Sequence, residues 1–159
     1  MIELHLLRHA HAGDPEAWTG PDAARPLSDK GEGQAERLGR FLAASGFEPD
    51  AVISSPKVRA LRTAEIVACH LHLDVRVDER LAGGLGLADL DALLRDAGRP
   101  GRPVIVGHDP DFSELLAMLS GAAELLMRKG AIARIDVAGR LEPGGGVLRW
   151  LVPPELLKT

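Results

Sequence analysis

The sequence predicts an α/β fold, a single-domain three-layer sandwich with a mainly parallel sheet and a late antiparallel element. Three observations predict it. Short apolar runs bounded by turn residues alternate with segments of helical periodicity as far as Gly121. The order reads βαβαβαβα and then ββ, and the final pair is joined by a link short enough for a hairpin. The length, 159 residues, suits one domain, residues 1–159, and suffices to bury a core.

Ile2 to Leu7 is apolar and bounded by charge, as a buried strand should be. Residues 12–29 are rich in Gly, Pro and Asp and read as a loop. From Gly31 to Phe47, Ala35, Leu38 and Leu42 recur at helical spacing, and Gly46 is a stop. "AVISS" (51–55) is a second strand. The helix after it is expected to use Ser55 as its cap and Pro56 as its first residue. Val58, Leu61, Ala64, Ala68 and Leu71 mark its expected buried stripe. "LDVRV" (73–77) is a third strand, and Leu87, Leu90, Leu94 and Ala97 mark a third helix. "RPVIVGH" (102–108) is a fourth strand. "PDFSELLAMLSG" (110–121) is a fourth helix, with Asp111 and Glu114 spaced as a capping box and Gly121 at its end. "AIARIDV" (131–137) and "GVLRWLV" (146–152) form the closing hairpin.

Composition narrows the function classes. Hydrophobic residues are 45% and charged residues 26%, which is ordinary for a globular chain. Aromatics are only 3%, so aliphatic side chains and alanine must do the packing. The net charge of -4 argues against bulk attraction to nucleic acid or anionic lipid, and any cationic site must be local. No apolar run approaches the roughly 20 residues that span a bilayer, and no secretory leader is recognised. A cytoplasmic location with no membrane partner is the expectation. The single cysteine, Cys69, excludes an intrachain disulfide and is expected to be a packed apolar residue.

The chemistry-bearing residues sit at strand ends. The first strand runs into Arg8 and His9, the second leads to Arg59 one turn into its helix, and the fourth ends at His108 before a helix. Ligands of open α/β sheets bind at the carboxyl ends of the strands. An arginine or histidine at one such end is ordinarily a solvated surface group; three matching ends in one parallel sheet favour a shared cavity. Two arginines and two histidines suit a phosphoryl group. Guanidinium offers planar paired donors, a helix N-terminus adds N–H groups, and a neutral imidazole can attack phosphorus. There is no Gly-rich P-loop and no metal-ligand spacing, so no cofactor or metal is expected.

"LLRHA" (6–10), "PLSDKGEGQAERLGRFL" (26–42), "VISSPKVRALRTAEI" (52–66) and "VIVGHDPDFSELL" (104–116) resemble the histidine phosphatase superfamily, the phosphoglycerate mutase-like fold. With the tail "LRWLVPPELL" (148–157) the resemblance spans nearly the whole chain, and it is strongest to the SixA-type phosphohistidine phosphatases. It implies His9 as the phosphorylated nucleophile, Arg8 and Arg59 as holders of the phosphoryl oxygens, and His108 as a hydrogen-bond donor to the transferring group. Arg62 is expected to form a surface ion pair instead. Two positions depart from the pattern. Ala10 replaces a common Gly, and Gly83 stands where mutase-like members carry the proton-donating Glu. Asp78 and Glu79, nearby in sequence, are expected to cap or to be solvated. The missing acid suits a phosphohistidine substrate. A neutral imidazole leaves far more readily than an alkoxide, since its conjugate acid has a pKa of about 6.5.

His11 and Lys129 are candidates for the pocket mouth, and His5 for packing within the fold. The leading expectation is therefore metal-independent hydrolysis of phosphohistidine on a protein partner. A small-molecule phosphomonoesterase with the same four residues and a non-catalytic phosphate-binding module are the alternatives. The oligomeric state is unknown from sequence.

Overall fold

The computed structural model describes residues 1–158. Six strands make one sheet: β1 (Ile2–Arg8), β2 (Ala51–Ser54), β3 (Val75–Val77), β4 (Pro103–Gly107), β5 (Ile132–Val137) and β6 (Gly146–Val152). Their order is β3-β2-β4-β1-β5-β6. The first four are mutually parallel, while β5 runs antiparallel to both β1 and β6. Four helices cover the sheet: α1 (Asp29–Ala44), α2 (Val58–Leu71), α3 (Leu87–Asp96) and α4 (Asp111–Ser120).

The alternation of strand side chains builds two cores, because successive residues of a strand point to opposite faces. Leu4, Leu6, Ile53 and Ile105 pack against α3 and α4 through Leu90, Leu93, Leu115 and Leu116. Leu7, Val52, Val104 and Val106 pack on the other face against α1 and α2 through Leu38, Leu42, Ala64 and Val67. Both faces are covered, which explains the unbroken apolar run of β4. The edge strand β3 is short and half exposed.

Several local expectations are corrected. Helix α2 starts at Val58, after Lys57, and Ser55 lies outside it. Pro56 follows Ser55 in the strand-to-helix turn rather than opening the helix. The buried stripe of α2 keeps the expected Ala64 and Ala68 but is rotated around them: Ala60, Thr63 and Val67 also face inward, while Val58 is exposed. Small side chains let α2 approach the sheet and α1 closely, and this rotation turns Arg59 inward beside them. Cys69 falls on the solvent side of the same helix and is exposed. The capping box on α4 does not form. The Asp111 carboxylate accepts from the Leu85 N–H at 3.1 Å, and Asp109 caps instead, accepting from the Ser113 N–H at 3.0 Å.

The loop after β1 is pinned to the start of α1. A Cβ on Gly31 would lie 1.9 Å from the carbonyl oxygen of His11, so only glycine permits this approach. Ser28 caps α1 by accepting from the Gly31 N–H at 3.1 Å.

Candidate active site

The carboxyl ends of β1, β4 and β2 are neighbours because β4 lies between the other two. The loop after β1 turns towards α1 on one face, and the loop after β4 turns towards α4 on the other. A crevice opens between them, as expected where adjacent loops diverge. Backbone bonds carry the pairing past the strands. The His9 N–H donates to Gly107 O and the Ser55 N–H to Val106 O, each at 3.0 Å. Arg8, His9, Arg59 and His108 all line one cavity of about 330 Å³, joined there by Arg25 and Lys129. All four residues expected from sequence are thus brought together.

His9 is 5% exposed, and its Nδ1 lies 2.7 Å from the carbonyl oxygen of Ala10. A carbonyl only accepts, so Nδ1 carries the proton and Nε2 keeps its lone pair. Burial, with the nearby His108 and arginines, pushes the pKa of His9 down to about 3. The ring is therefore neutral at pH 7. Ala10 is fully buried, and its N–H donates to Thr63 Oγ1 at 3.1 Å while Thr63 donates to Arg59 O at 2.8 Å. Thr63 thereby ties the turn after β1 to the first turn of α2.

His108 faces His9 with ring centroids 5.3 Å apart. Burial, then the charges of Arg59 and Lys57, lower its pKa to about 4. Its Nε2 lies 2.8 Å from Ser55 Oγ.

Each arginine is held by a backbone carbonyl and a carboxylate. Arg8 Nη1 donates to Met127 O at 2.7 Å and lies 3.4 Å from Asp109 Oδ2. Asp109 also accepts from the Ser113 hydroxyl at 2.6 Å. Arg59 donates through Nη1 to Asp22 O at 2.9 Å and through Nη2 to Asp22 Oδ2 at 3.0 Å. The end of the Arg59 fork is occupied, while its Nε side remains unpaired. Among the described residues, four buried side-chain polar atoms lack a partner: Arg8 Nε, Arg59 Nε, His108 Nδ1 and, elsewhere, Arg37 Nε. Three of the four belong to residues of this one cavity. Buried polar groups are rarely left unpaired, so such a cluster marks where a ligand binds.

Sequence reading missed Arg25, Asp22 and the Ser55 contact. Arg25 is 7% exposed and donates to Ala12 O at 3.1 Å and, through Nε, to Asp22 Oδ1 at 3.3 Å. The hydrogen bond from Arg59, with help from Arg25, holds the Asp22 carboxyl below its usual range. An arginine wedged between Ala24 and Pro26 in a polar loop was the available signal. Lys129 reaches the cavity, and its pKa is lowered by burial and by Arg8, Arg25 and Arg59.

His11 instead bonds Ser28 Oγ at 2.6 Å. Arg62 pairs with Glu32 at 3.1 Å on the surface, and Asp78 caps a 3-10 turn, accepting from the Arg80 N–H at 3.0 Å. Gly83 lines the cavity. Among the described residues no group of three or more His, Cys, Asp or Glu side chains is disposed to hold a metal ion, and no helix is long and apolar enough to cross a membrane.

Comparison with known proteins gives the same picture. The family model of the histidine phosphatase superfamily (branch 1) matches residues 4–83. Phosphohistidine phosphatase SixA of Escherichia coli K12 is 27% identical over 164 residues, covering 99% of this chain and 97% of that protein. A solved structure of the protein histidine phosphatase SixA complexed with tungstate has a TM-score of 0.84 at 25% identity, over 99% of this chain and 100% of that one. An 8-oxo-(d)GTP phosphatase of Mycolicibacterium smegmatis is 36% identical over 104 residues, 63% of this chain but only 32% of that protein.

Proposed function

The chain belongs to the histidine phosphatase superfamily, and we propose that, as a phosphatase of that family, it hydrolyses phosphohistidine on a protein through a covalent phosphoenzyme on His9. The observation that carries this reading is the cluster of unpartnered buried polar atoms, Arg8 Nε, Arg59 Nε and His108 Nδ1, on residues that share a cavity with a neutral His9. A tetrahedral oxyanion has enough oxygens to pair with the guanidinium donors and with a ring N–H beside them. That the related SixA structure holds tungstate, an anion of this shape, supports the same reading.

The steps follow from the tautomer of His9. Nε2 attacks phosphorus with its lone pair, a P–N bond forms and the bond to the leaving nitrogen breaks. The positive charge gained by the ring is stabilised where Nδ1–H meets Ala10 O. Arg8 and Arg59 hold the equatorial oxygens through the transfer. Water then attacks phosphorus, the bond to His9 breaks, inorganic phosphate leaves with the water oxygen, and the surplus proton passes to solvent.

Leaving-group chemistry supports a P–N substrate. The two carboxylates lining the cavity are engaged, Asp109 with Arg8 and Ser113, Asp111 with the Leu85 N–H. A substrate imidazole whose second nitrogen is protonated departs as a neutral ring and needs neither of them. A second reading, small phosphoesters, is favoured by the likeness to the 8-oxo-(d)GTP phosphatase over part of its length. The full set of Arg8, His9, Arg59 and His108 around one cavity argues against a non-catalytic phosphate-binding module.

The test is a side-by-side turnover of a phosphohistidine-bearing protein, sugar phosphates and nucleotides. Faster turnover of the phosphohistidine protein, with an acid-labile phosphoenzyme absent from His9→Ala, is the expected result. Faster ester cleavage selects the second reading. Full hydrolysis by His9→Ala overturns the mechanism.

A further inference from the structure

Ser55 opens the turn between β2 and α2 and is fully buried. Its Oγ accepts the Lys57 N–H at 3.1 Å and meets His108 Nε2 at 2.8 Å. Its hydroxyl proton finds no other acceptor among the described residues. His108 is 6% exposed, and its second ring nitrogen, Nδ1, has no partner.

A hydroxyl and an imidazole nitrogen can share a bond in two ways. If Nε2–H donates to Ser55 Oγ, the serine proton is buried with nowhere to go, and Nδ1 is bare. If Ser55 donates to Nε2, every proton of Ser55 is used, and the single proton of the neutral ring sits on Nδ1. The first arrangement leaves two buried groups unpaired, the Ser55 O–H and the Nδ1 lone pair, and the second leaves only the Nδ1–H, so the second is favoured. Which arrangement holds also decides what His108 can do. A bare Nδ1 would turn a lone pair on the anion; an Nδ1–H would turn a donor on it.

We propose that Ser55 is a positioning residue that sets the tautomer of His108, so that His108 presents an N–H from Nδ1 to the transferring phosphoryl group. The catalytic consequence rests on the phosphatase reading of this cavity; the tautomer does not. The geometry also explains why Ser55 is free of the helix-capping duty its neighbours suggest. Its oxygen closes the turn through Lys57, which leaves its proton for His108. The serine acts through His108 and is not in line with the reacting atoms.

The test reads the ring directly. The 15N-labelled full chain at pH 7 should show His108 protonated at Nδ1. In Ser55→Ala the proton should move towards Nε2, the form imidazoles prefer in water. kcat should fall about 10- to 100-fold, as when a partner that fixes a ring tautomer is lost, with KM nearly unchanged. Ser55→Cys, which keeps the volume with a weaker donor, should fall between. An Nε2-protonated His108 in the wild type overturns the proposal, even if no variant folds. A tautomer and kcat both unchanged in Ser55→Ala also overturn it. An Nδ1-protonated ring that shifts in Ser55→Ala, in a chain with no phosphohydrolase activity, upholds the Ser55 assignment and overturns the phosphatase reading.

Discussion

His5 and His9 lie on one strand and at its end, four residues apart, and share much of their physics. Both are buried, at 1% and 5% exposure, and burial is the largest cause lowering both pKa values, to about 4 and about 3. Both rings set Nδ1 against a backbone carbonyl, Pro103 O at 3.3 Å and Ala10 O at 2.7 Å. They differ in what faces the ring. His5 is closed in by Phe47, edge-on at 4.7 Å, and by Trp150 at 5.7 Å. His9 faces His108 and shares its cavity with two arginines that keep unpaired donors. A displaced pKa and a defined tautomer are therefore not marks of function by themselves. What sets His9 apart is the cavity its ring opens on, where Arg8 and Arg59 each keep an unpaired Nε.

The contrast can be broken at several points. On the proposed mechanism, His9→Ala should lose phosphohydrolase turnover by about 10⁴-fold or more, since no other side chain takes the place of the imidazole. His5→Phe should keep turnover and lower Tm by about 2–4 °C, the shift that follows about 1 kcal/mol in a domain of this size. Steady-state kinetics and thermal unfolding of both variants check this, and a large loss of turnover in His5→Phe would erase the distinction.

His108→Ala should cost about 10²- to 10³-fold in kcat, the usual effect of removing one donor to developing negative charge. Arg59→Lys keeps the charge but gives up the planar fork, and should lose about 10²-fold in kcat/KM through misplacement of the phosphoryl group.

The smallest effect sharpens what the two rings share. Their ordinary pKa is 6.5, and the folded values lie below it. As pH falls through 6.5 the unfolded chain takes up protons that the folded chain refuses until about pH 4 or 3, so stability declines over that window. Denaturant unfolding between pH 7 and 5 should show a shallower decline in His5→Phe and in His9→Ala alike, although only the second loses activity.

Much of the fold could be read along the chain. The apolar run of β4, the helical spacing of Ala35, Leu38 and Leu42 in α1, and the Gly121 stop of α4 are consequences of neighbours in sequence. So were the strand-end positions of Arg8, His9, Arg59 and His108, because strand period and turn residues act over a few residues. Of the expected stripe of α2, Ala64 and Ala68 are buried, while Val58 is exposed and Leu61 and Leu71 are only half-buried. The tight space beside α1 and the sheet takes small side chains, so Ala60 and Thr63 join that face in place of the larger Val58 and Leu61.

The sequence by itself determined the order of the elements and the kinds of group at the strand ends, since those depend on short-range periodicity and side-chain chemistry. Only the tertiary structure decided which partner each group has. Ser55 reaches His108 across 53 residues of chain and Asp22 reaches Arg59 across 37. Hydrogen bonds of about 3 Å require placement to a fraction of an ångström, and that placement comes from how α2, α4 and the loop after β1 settle on the sheet.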